Sequence, residues 1–312
     1  MESFTIISVQ VLGHLWTVSW QVSVLIGIIW LVDVFTPRAS SHLRYWLWCL
    51  VLFRLCLPVG TIMNTIERVF PMQSDILFKT TENIANLPVK AMEALPFQSA
   101  FAENIPDSIV NIPAALAGGM YIIGLVCFAV IIITTIYRVN RLLYVCEPVE
   151  RPEVIASFRK HKDGIGLSRN VGLLRMDTHN TKMPAYFGLF RPRIVFSRTI
   201  VDDWPAGEYE PVLLHELFHV KRRDLLVNWL QVIIQALYFF HPLVWLANRR
   251  IRTLREQVCD DQVLSYMQGG RARYAQSMLR IMEEKSSVIC PGFAFVRFSE
   301  STNTFRERIE RI

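Results

Sequence analysis

The sequence predicts a polytopic α-helical membrane protein that carries an α+β module after its last membrane span. Hydrophobic residues make up 52% of the 312 residues, which is more than soluble domains of this length usually contain. Three apolar stretches each approach the roughly 20 residues that a helix needs to cross the hydrocarbon core. After residue 138 the pattern changes to strand-like segments followed by a helical one.

The three predicted spans occupy residues 8–35, 45–63 and 114–137 of a membrane region that covers residues 1–137. The first stretch lacks the basic region and the small-residue cleavage site of a secretory signal, so it is interpreted as a retained span. The second contains Arg54, and a buried charge there predicts a role in packing the helix bundle, with a carboxylate of another segment as one partner.

Basic residues mark one side of the predicted membrane. They are Arg38, His42 and Arg44 between the first two spans, and Arg138 and Arg141 after the third. The intervening segment 64–113 is mildly acidic. The positive-inside rule therefore places the N-terminus and loop 64–113 outside the cell and residues 138–312 in the cytoplasm. None of the six cysteines lies in that loop, so no disulfide framework is expected. The net charge of +6 resides at span ends and is no indication of direct nucleic-acid binding.

The cytoplasmic module begins with two predicted strand segments, 169–176 and 184–197. Within the second, Gly188 and Pro192 flank a turn between two apolar runs, which is typical of a hairpin. The next helix is predicted to begin near Pro211, since proline favours the first turn of a helix.

A metal site is predicted on that helix. His215 and His219 are four residues apart, so they share one face of a helix and can direct two imidazole nitrogens to one ion. Glu216 lies at the edge of the same face, where its carboxylate can act as general base on a water. This is the HExxH pattern of zinc peptidases. The alternative, a chance pattern on an amphipathic helix, is expected in roughly one chain of this length in a hundred.

Glu256 is the predicted third ligand. Asp260 lies one helical turn later, where a carboxylate can hold the free N–H of a zinc-bound histidine. Cys259 and His241 are rival ligands, but a buried structural thiol and a capping or cavity-lining histidine are the more common roles of such residues.

The remaining polar residues near the motif receive simpler interpretations. Asp261 faces away, Glu283 and Glu284 form a solvated surface, Asp224 forms a surface ion pair with Arg222 or Arg223, and Tyr274 is the one candidate to stabilise an oxyanion.

An apolar segment, residues 225–247, separates the two parts of this site. A single crossing would place Glu256 on the opposite side of the membrane from His215. Both flanks are basic, however, and His241-Pro242 interrupts the segment after about 16 apolar residues, too few for a comfortable span. Asn228, Gln231 and Gln235 form a polar stripe at helical spacing, which predicts a face turned to protein or to a polar cavity. The segment is therefore predicted to be a re-entrant or membrane-surface hairpin that returns to the cytoplasmic side.

With these residues in place, the chain resembles the BlaR/MecR or M56 family of membrane peptidases, which contains the β-lactam sensor-transducers of Gram-positive bacteria. The resemblance rests on LFRLCLPV, PAYFGLFRPRIVFS, HELFHVKRRDLLVNWL, FFHPLVWLANRR and REQVCDDQVL. The last three, in this order and spacing, are specific.

The resemblance implies a zincin (gluzincin-like) metalloprotease module in the bacterial plasma membrane. It implies that His215, His219 and Glu256 bind Zn²⁺ and that Glu216 activates the water. In the family's sensor-transducers, an extracellular antibiotic signal activates the protease, which cleaves itself and brings about loss of a cytoplasmic repressor. Its expected partners are therefore such a repressor, the chain itself, the lipid bilayer and a second copy of the chain.

The chain departs from those transducers at its end. They continue into a fourth span and an extracellular penicillin-binding domain, whereas this sequence ends at FRERIERI. The expectation is either a piece that ends before that span or a member with no such sensor. Two alternatives in function remain: a housekeeping membrane zinc protease of HtpX or Ste24 type, and a non-catalytic signalling scaffold, against which the intact Glu216 argues.

Overall fold

The computed structural model describes residues 2–36, 39–57, 107–176, 184–285 and 302–312, and over these residues the chain is mostly helical, as the sequence predicts. The predicted extracellular loop as far as residue 106 lies outside the described residues. The end of the second predicted span, from residue 58, also lies outside them.

Three helices correspond to the predicted membrane region. They are α1, Glu2–Phe35, α2, Ser41–Cys56, and α3, Asp107–Val145. In α1 and α3, the stretches Ile7–Phe35 and Ala115–Val145 are long and apolar enough to cross a membrane, with mean hydropathies of 1.9 and 2.6. Only 6% of the most apolar window of α3 is buried, whereas the core helix of a soluble protein is mostly buried. A long, exposed apolar surface of this kind is typical of a helix that crosses a membrane.

The chain divides into two compact units. The first comprises Met1–Leu25 and Phe53–Val126, and the second comprises Ile26–Leu52 and Cys127–Ile312. In the first unit, the guanidinium of Arg54 donates a hydrogen bond to the side-chain oxygen of Gln21 in α1. The charge in the second predicted span thus has an amide as its partner here, where the sequence suggested a carboxylate.

In the second unit a buried carboxylate joins the end of α1 to the start of α2. Asp33 accepts hydrogen bonds from Arg44, from Nε1 of Trp48 at 3.2 Å and from Nε of Arg250 at 2.8 Å. Arg44 lies in the link between the first two predicted spans, and Arg250 follows the apolar segment 225–247. A basic residue after the first predicted span and one after the apolar segment therefore meet at one carboxylate.

A small mixed sheet opens the module. Its strands are β1, Glu147–Pro148, β2, Gly172–Met176, β3, Ala185–Phe187, and β4, Arg193–Ser197, in the order β1-β2-β4-β3. The antiparallel pairing of β3 with β4 confirms the predicted hairpin, and β2 pairs with β4 in parallel. Gly188 begins the turn with φ +86, and a Cβ there would lie 2.3 Å from the carbonyl oxygen of Arg191. Strand β3 lies at an edge of the sheet.

The helices of the module pack on this sheet and around one helix that is almost wholly buried. The module contains α4, Pro152–Gly164, α5, Arg198–Asp203, α6, Ala206–Arg222, α7, Asp224–Leu237, α8, Pro242–Met267, α9, Arg271–Lys285, and α10, Thr302–Arg311. Helix α6 is central, since Leu213, Leu214 and Leu217 are almost fully buried in a core that includes Ile194 of β4. The histidine-bearing helix is therefore held on nearly all sides.

Helix α6 begins earlier than the sequence indicated. Pro205 is its N-cap residue and Pro211 lies inside it, so the predicted start at Pro211 is wrong. Proline has the φ of a helix, but inside one it removes the hydrogen bond to the fourth residue before it and its ring crowds that residue's carbonyl, so the sequence favoured a position in the first turn. Glu208, in the first turn, interacts favourably with the helix dipole.

The apolar segment forms a helical hairpin. Arg223 adopts the left-handed conformation, with φ 57 and ψ 39, which ends α6 and lets α7 begin at once. Helix α7 has 14 residues and is thus about 21 Å long, shorter than the ~30 Å hydrocarbon core. Pro242 then occupies the first turn of α8, which leads back to the module. Helix α8 thus brings Glu256 back beside His215 and His219, while the placement of the hairpin relative to the membrane stays a prediction.

Candidate metal centre

Helices α6 and α8 bring three predicted ligands together. Nε2 of His215 lies 3.0 Å from Nε2 of His219 and 3.3 Å from Oε2 of Glu256. Nε2 of His219 lies 3.6 Å from the same carboxylate oxygen. Two ligands about 2.1 Å from a tetrahedral metal ion are about 3.4 Å apart, so this triangle has the size that such an ion requires. Among the described residues, these three form one of the groups whose ligand atoms lie close enough together to hold a metal ion.

Glu216 lies between the two histidines in the sequence of α6 and is buried, with 3% of its surface exposed. It does not belong to the triangle of ligand atoms. A carboxylate in this position is available to a water molecule at the open side of an ion, as the HExxH pattern predicts.

His219 is oriented by a residue that the sequence did not identify. Its Nδ1 lies 2.7 Å from Oδ2 of Asp224, the first residue of α7, and Asp224 is 1% exposed. The expected ion pair with Arg222 is present at 3.3 Å, but its location at the surface was wrong. Because α7 begins directly after the turn at Arg223, Asp224 is brought back against α6. Its position five residues after His219 is the one signal that could have revealed it.

His215 is oriented from the opposite side. Its Nδ1 lies 2.9 Å from the hydroxyl of Tyr274, in α9, and 3.4 Å from Oδ1 of Asp260. The Tyr274 hydroxyl donates to Asp260 at 2.6 Å, so the tyrosine oxygen is left to accept from the His215 N–H. Tyr274 is fully buried behind His215, which argues against its suggested role in stabilising an oxyanion.

The last helix contributes an arginine to the same cluster. Nε and Nη2 of Arg308, in α10, donate to the two oxygens of Asp260 at 2.9 and 2.8 Å. Nη1 lies 3.4 Å from Oε2 of Glu256. Arg308 is only 4% exposed. Nothing in the segment FRERIERI distinguishes this arginine from its neighbours, so the sequence does not predict its role.

The rival ligands lie elsewhere. Cys259 is fully buried and its sulfur lies 3.2 Å from Nδ1 of His219, on the far side of that ring from Glu256. His219, Asp224 and Cys259 form a second group of suitable atoms, but Asp224 already occupies Nδ1. His241 is the N-cap residue of α8, about 22 Å from Glu256 along the helix axis.

Two other acidic residues lie outside the cluster, as predicted. Asp261 faces away and pairs with Arg311 at 2.7 Å, and Glu283 is exposed.

The electrostatics of the cluster favour a cation. Burial lowers the pKa of His215, but hydrogen bonds to Asp260 and Glu256 outweigh it, and the net pKa is raised. Burial likewise opposes protonation of His219, yet interactions with Cys259, Glu256 and Asp224 raise its pKa well above the usual value. Burial also raises the pKa of the Cys259 thiol, which disfavours the thiolate needed for metal binding. The carboxylates thus stabilise positive charge at the two imidazoles. A bound metal ion can supply that charge in place of the protons.

The edge strand β3 borders the centre. The ring of Tyr186 stacks on the ring of His219, with the centroids 5.5 Å apart and the planes at 12°. The last strand of the described sheet therefore runs beside the predicted metal ligands.

Comparisons with known proteins agree with this geometry. A sequence model of the family described as BlaR1 peptidase M56 matches residues 14–312. The regulatory protein BlaR1 of Bacillus licheniformis is 30% identical over 188 residues, which are 58% of this chain and 30% of BlaR1. The methicillin resistance mecR1 protein of Staphylococcus aureus is 33% identical over 111 residues, 35% of this chain and 19% of mecR1. The chain thus matches less than a third of the length of either relative.

One solved structure also resembles the chain. The crystal structure of Ste24p from S. mikatae covers 98% of both chains with 12% identity and a TM-score of 0.37. A likeness of this degree does not show a common fold.

Proposed function

The chain belongs to the BlaR1 peptidase M56 family, and from this premise we propose that it is a membrane-embedded zinc metalloendopeptidase of a regulatory system. The observation that carries the proposal is the convergence of His215, His219 and Glu256 around a space of the size of a metal ion, with Glu216 on the same helix. Two imidazoles and one carboxylate are a ligand set of catalytic zinc, which keeps a fourth position open.

Zinc, when bound, would polarise the scissile carbonyl and lower the pKa of water towards about 7. Glu216 would take the proton of the attacking water and later deliver it to the leaving amine. His215 and His219 would each use Nε2 as ligand, because Nδ1 is engaged by Tyr274 and by Asp224. These hydrogen bonds set the tautomers and ring orientations of both ligands.

The outer edge of β3, the last strand of the described sheet, would bind the substrate. An extended peptide can add a strand to an open sheet edge through main-chain hydrogen bonds, and Tyr186 places this edge against His219. Such binding selects a segment that is locally unfolded and depends little on its side chains. It suits a cytoplasmic repressor, a loop of the chain itself or a loop of a second copy.

The membrane arrangement we propose has the module on the cytoplasmic side and the N-terminus outside. Phe128, within the apolar stretch of α3, packs on Phe239 and Trp245 at the tip of the α7–α8 hairpin, with centroid distances of 5.8 and 6.4 Å. The tip thus lies alongside the interior of a membrane span, which supports a hairpin that enters the bilayer. The shared carboxylate of Asp33 supports a common side for Arg44 and Arg250.

The regulatory role follows from the relatives, whose names describe a regulatory protein and a methicillin resistance protein. We propose that an extracellular signal, of antibiotic type, controls cleavage of a cytoplasmic repressor or of the chain itself. The relatives are much longer than the part that matches, so their sensing chemistry is not carried over to these residues.

The proposal is tested on the full chain in lipid nanodiscs. Glu216→Gln removes the base and leaves the metal ligands in place, so we expect self-cleavage and cleavage of added repressor to disappear while zinc content stays at one ion per chain. Mass spectrometry identifies the products. The control is Glu150→Gln, whose exposed carboxylate lies far from the centre in sequence and should leave cleavage unchanged. Cleavage that survives Glu216→Gln would contradict the mechanism, and zinc without any cleavage in the wild type would indicate a scaffold.

A further inference from the structure

A basic cleft with an apolar rim lies at the start of α7, beside the turn between β3 and β4. A cavity of about 280 Å³ is lined by Arg169 and Arg223, with Phe190 and Leu226 on its rim. An adjoining cavity of about 510 Å³ shares Arg169 and Phe190 and adds Arg191 and Arg193. No carboxylate is among the described residues that line either cavity. The cleft therefore has the charge of an anion-binding site.

The exposure of Phe190 is set by an ordered turn. Phe190 is 87% exposed in the turn between β3 and β4. Nη2 of Arg169 donates to the carbonyl oxygen of Leu189 at 2.9 Å, and Gly188 has the positive φ that the turn requires. An ordered turn thus presents a bare aromatic ring beside arginines, a combination that is typical of side chains at a membrane interface.

The position of Leu226 places this cleft at the level of the lipid headgroups. Leu226 lies in the first turn of α7, and with Ile233 and Leu237 it forms an exposed apolar face, with exposed fractions of 45, 51 and 42%. The opposite face of α7 holds the buried Gln231 and Gln235. A helix with its polar face inward and its apolar face outward is suited to lipid. This step rests on the proposed membrane placement of α7 and does not depend on peptidase activity.

We propose that the cleft binds the phosphate headgroup of an anionic phospholipid, with the Phe190 ring inserted among the acyl chains. Guanidinium groups bind phosphate through paired, charge-assisted hydrogen bonds, and Arg169 and Arg223 face one cavity. The net positive charge favours an anionic headgroup over a zwitterionic one. The apolar rim favours a lipid over free phosphate.

The bound lipid would also act on the proposed substrate edge. Tyr186 lines the same cleft and stacks on His219, so β3 lies between the lipid site and the metal ligands. A lipid held in the cleft would restrain this edge strand and direct the substrate entrance along the membrane surface.

Native mass spectrometry of the full chain tests the proposal. The chain, purified in neutral detergent, is titrated with phosphatidylglycerol or with phosphatidylcholine, and bound lipids are counted. We expect one phosphatidylglycerol to bind more tightly than phosphatidylcholine. Replacing both Arg169 and Arg223 by Gln should weaken phosphatidylglycerol binding about 30-fold, since each basic residue near an anionic surface contributes about fivefold. The control, Arg159→Gln, changes an exposed arginine of α4 and should have no effect.

Equal affinity for the two lipids, or unchanged phosphatidylglycerol binding in the double variant, would overturn the proposal. Inorganic phosphate that binds as tightly as phosphatidylglycerol would instead identify a free-phosphate site and also overturn the proposal. Phe190→Ala serves as a second variant, because a side chain this exposed contributes little to folding. It should weaken the binding of both lipids. Lipid counts are independent of cleavage, so failure of the peptidase proposal would leave this result intact.

Discussion

Helix α8 is buried along two stretches that differ in chemistry. In its first half, Asn248 exchanges hydrogen bonds with neutral amides of α7: it accepts from Gln231 at 3.2 Å and donates to Gln235 at 3.0 Å. In its second half, Glu256 and Asp260 lie among imidazoles and arginines. Arg255 marks the border, since it donates to Gln231.

The difference separates buried side chains that stabilise the packing of two helices from buried side chains that we propose to support metal binding. Amides satisfy one another without net charge, so they can join two helices in a medium of low dielectric. Buried carboxylates are costly and are generally retained where a cation compensates them. If this is correct, variants of the second half should lose metal, and variants of the first half should lose only stability.

The largest effect is expected for Glu256→Ala. It removes one of three ligands, so metal affinity should fall by more than the roughly 10–100-fold typical of residues that merely support a ligand. Zinc content after dialysis against a weak chelator measures this. Glu150→Ala, an exposed carboxylate, is the control. Equal zinc in Glu256→Ala and wild type would exclude this residue as a ligand.

Asp224→Asn and Asp260→Asn should each weaken metal binding about 10–100-fold, because each removes a charge that holds the distal nitrogen of a histidine ligand. We expect the larger loss for Asp260, since its replacement also leaves Arg308 without its main partner. Chelator competition gives the affinities. Asp261→Asn is a matched control, because this adjacent carboxylate pairs with Arg311 on another face. If all three variants lose metal equally, the charged half of α8 acts through general stability.

Tyr274→Phe should have a smaller effect, about tenfold on metal affinity, since His215 keeps Asp260 within 3.4 Å. The loss of the buried hydroxyl should also reduce the free energy of unfolding by about 1–2 kcal/mol. Tyr266→Phe, a partly buried tyrosine of α8 outside the cluster, is the control. An unchanged affinity would mean that the tyrosine contributes only to packing.

The smallest effect is expected for Gln235→Leu. It removes the acceptor of the Asn248 amide at 3.0 Å and should lower the free energy of unfolding by about 1 kcal/mol, a typical net value for one hydrogen bond. Zinc content should not change. Denaturation in mixed micelles measures the stability, with Ile233→Leu on the outward face of α7 as the control. Loss of zinc in Gln235→Leu would show that the two halves of α8 are not separate.

Local patterns in the sequence predicted much of the fold. The β3–β4 hairpin and the apolar stretches of α1 and α3 were predicted and are present. The return of segment 225–247 to the cytoplasmic side stays a prediction. The start of α6 was not, because Pro211 is compatible with either of two positions early in a helix. The parallel pairing of β2 with β4 joins segments that no local pattern relates.

The sequence by itself indicated the residues proposed as ligands. The spacing of His215 and His219 fixes their common face through the period of one helix, and the basic flanks of segment 225–247 predict that Glu256 returns to the same side. Only the tertiary structure decided which residues support them. Asp224 reaches His219 through a left-handed turn at Arg223, and Tyr274 and Arg308 arrive from separate helices. Such contacts depend on how helices pack, and side-chain packing between distant segments leaves no periodic signal in a single sequence.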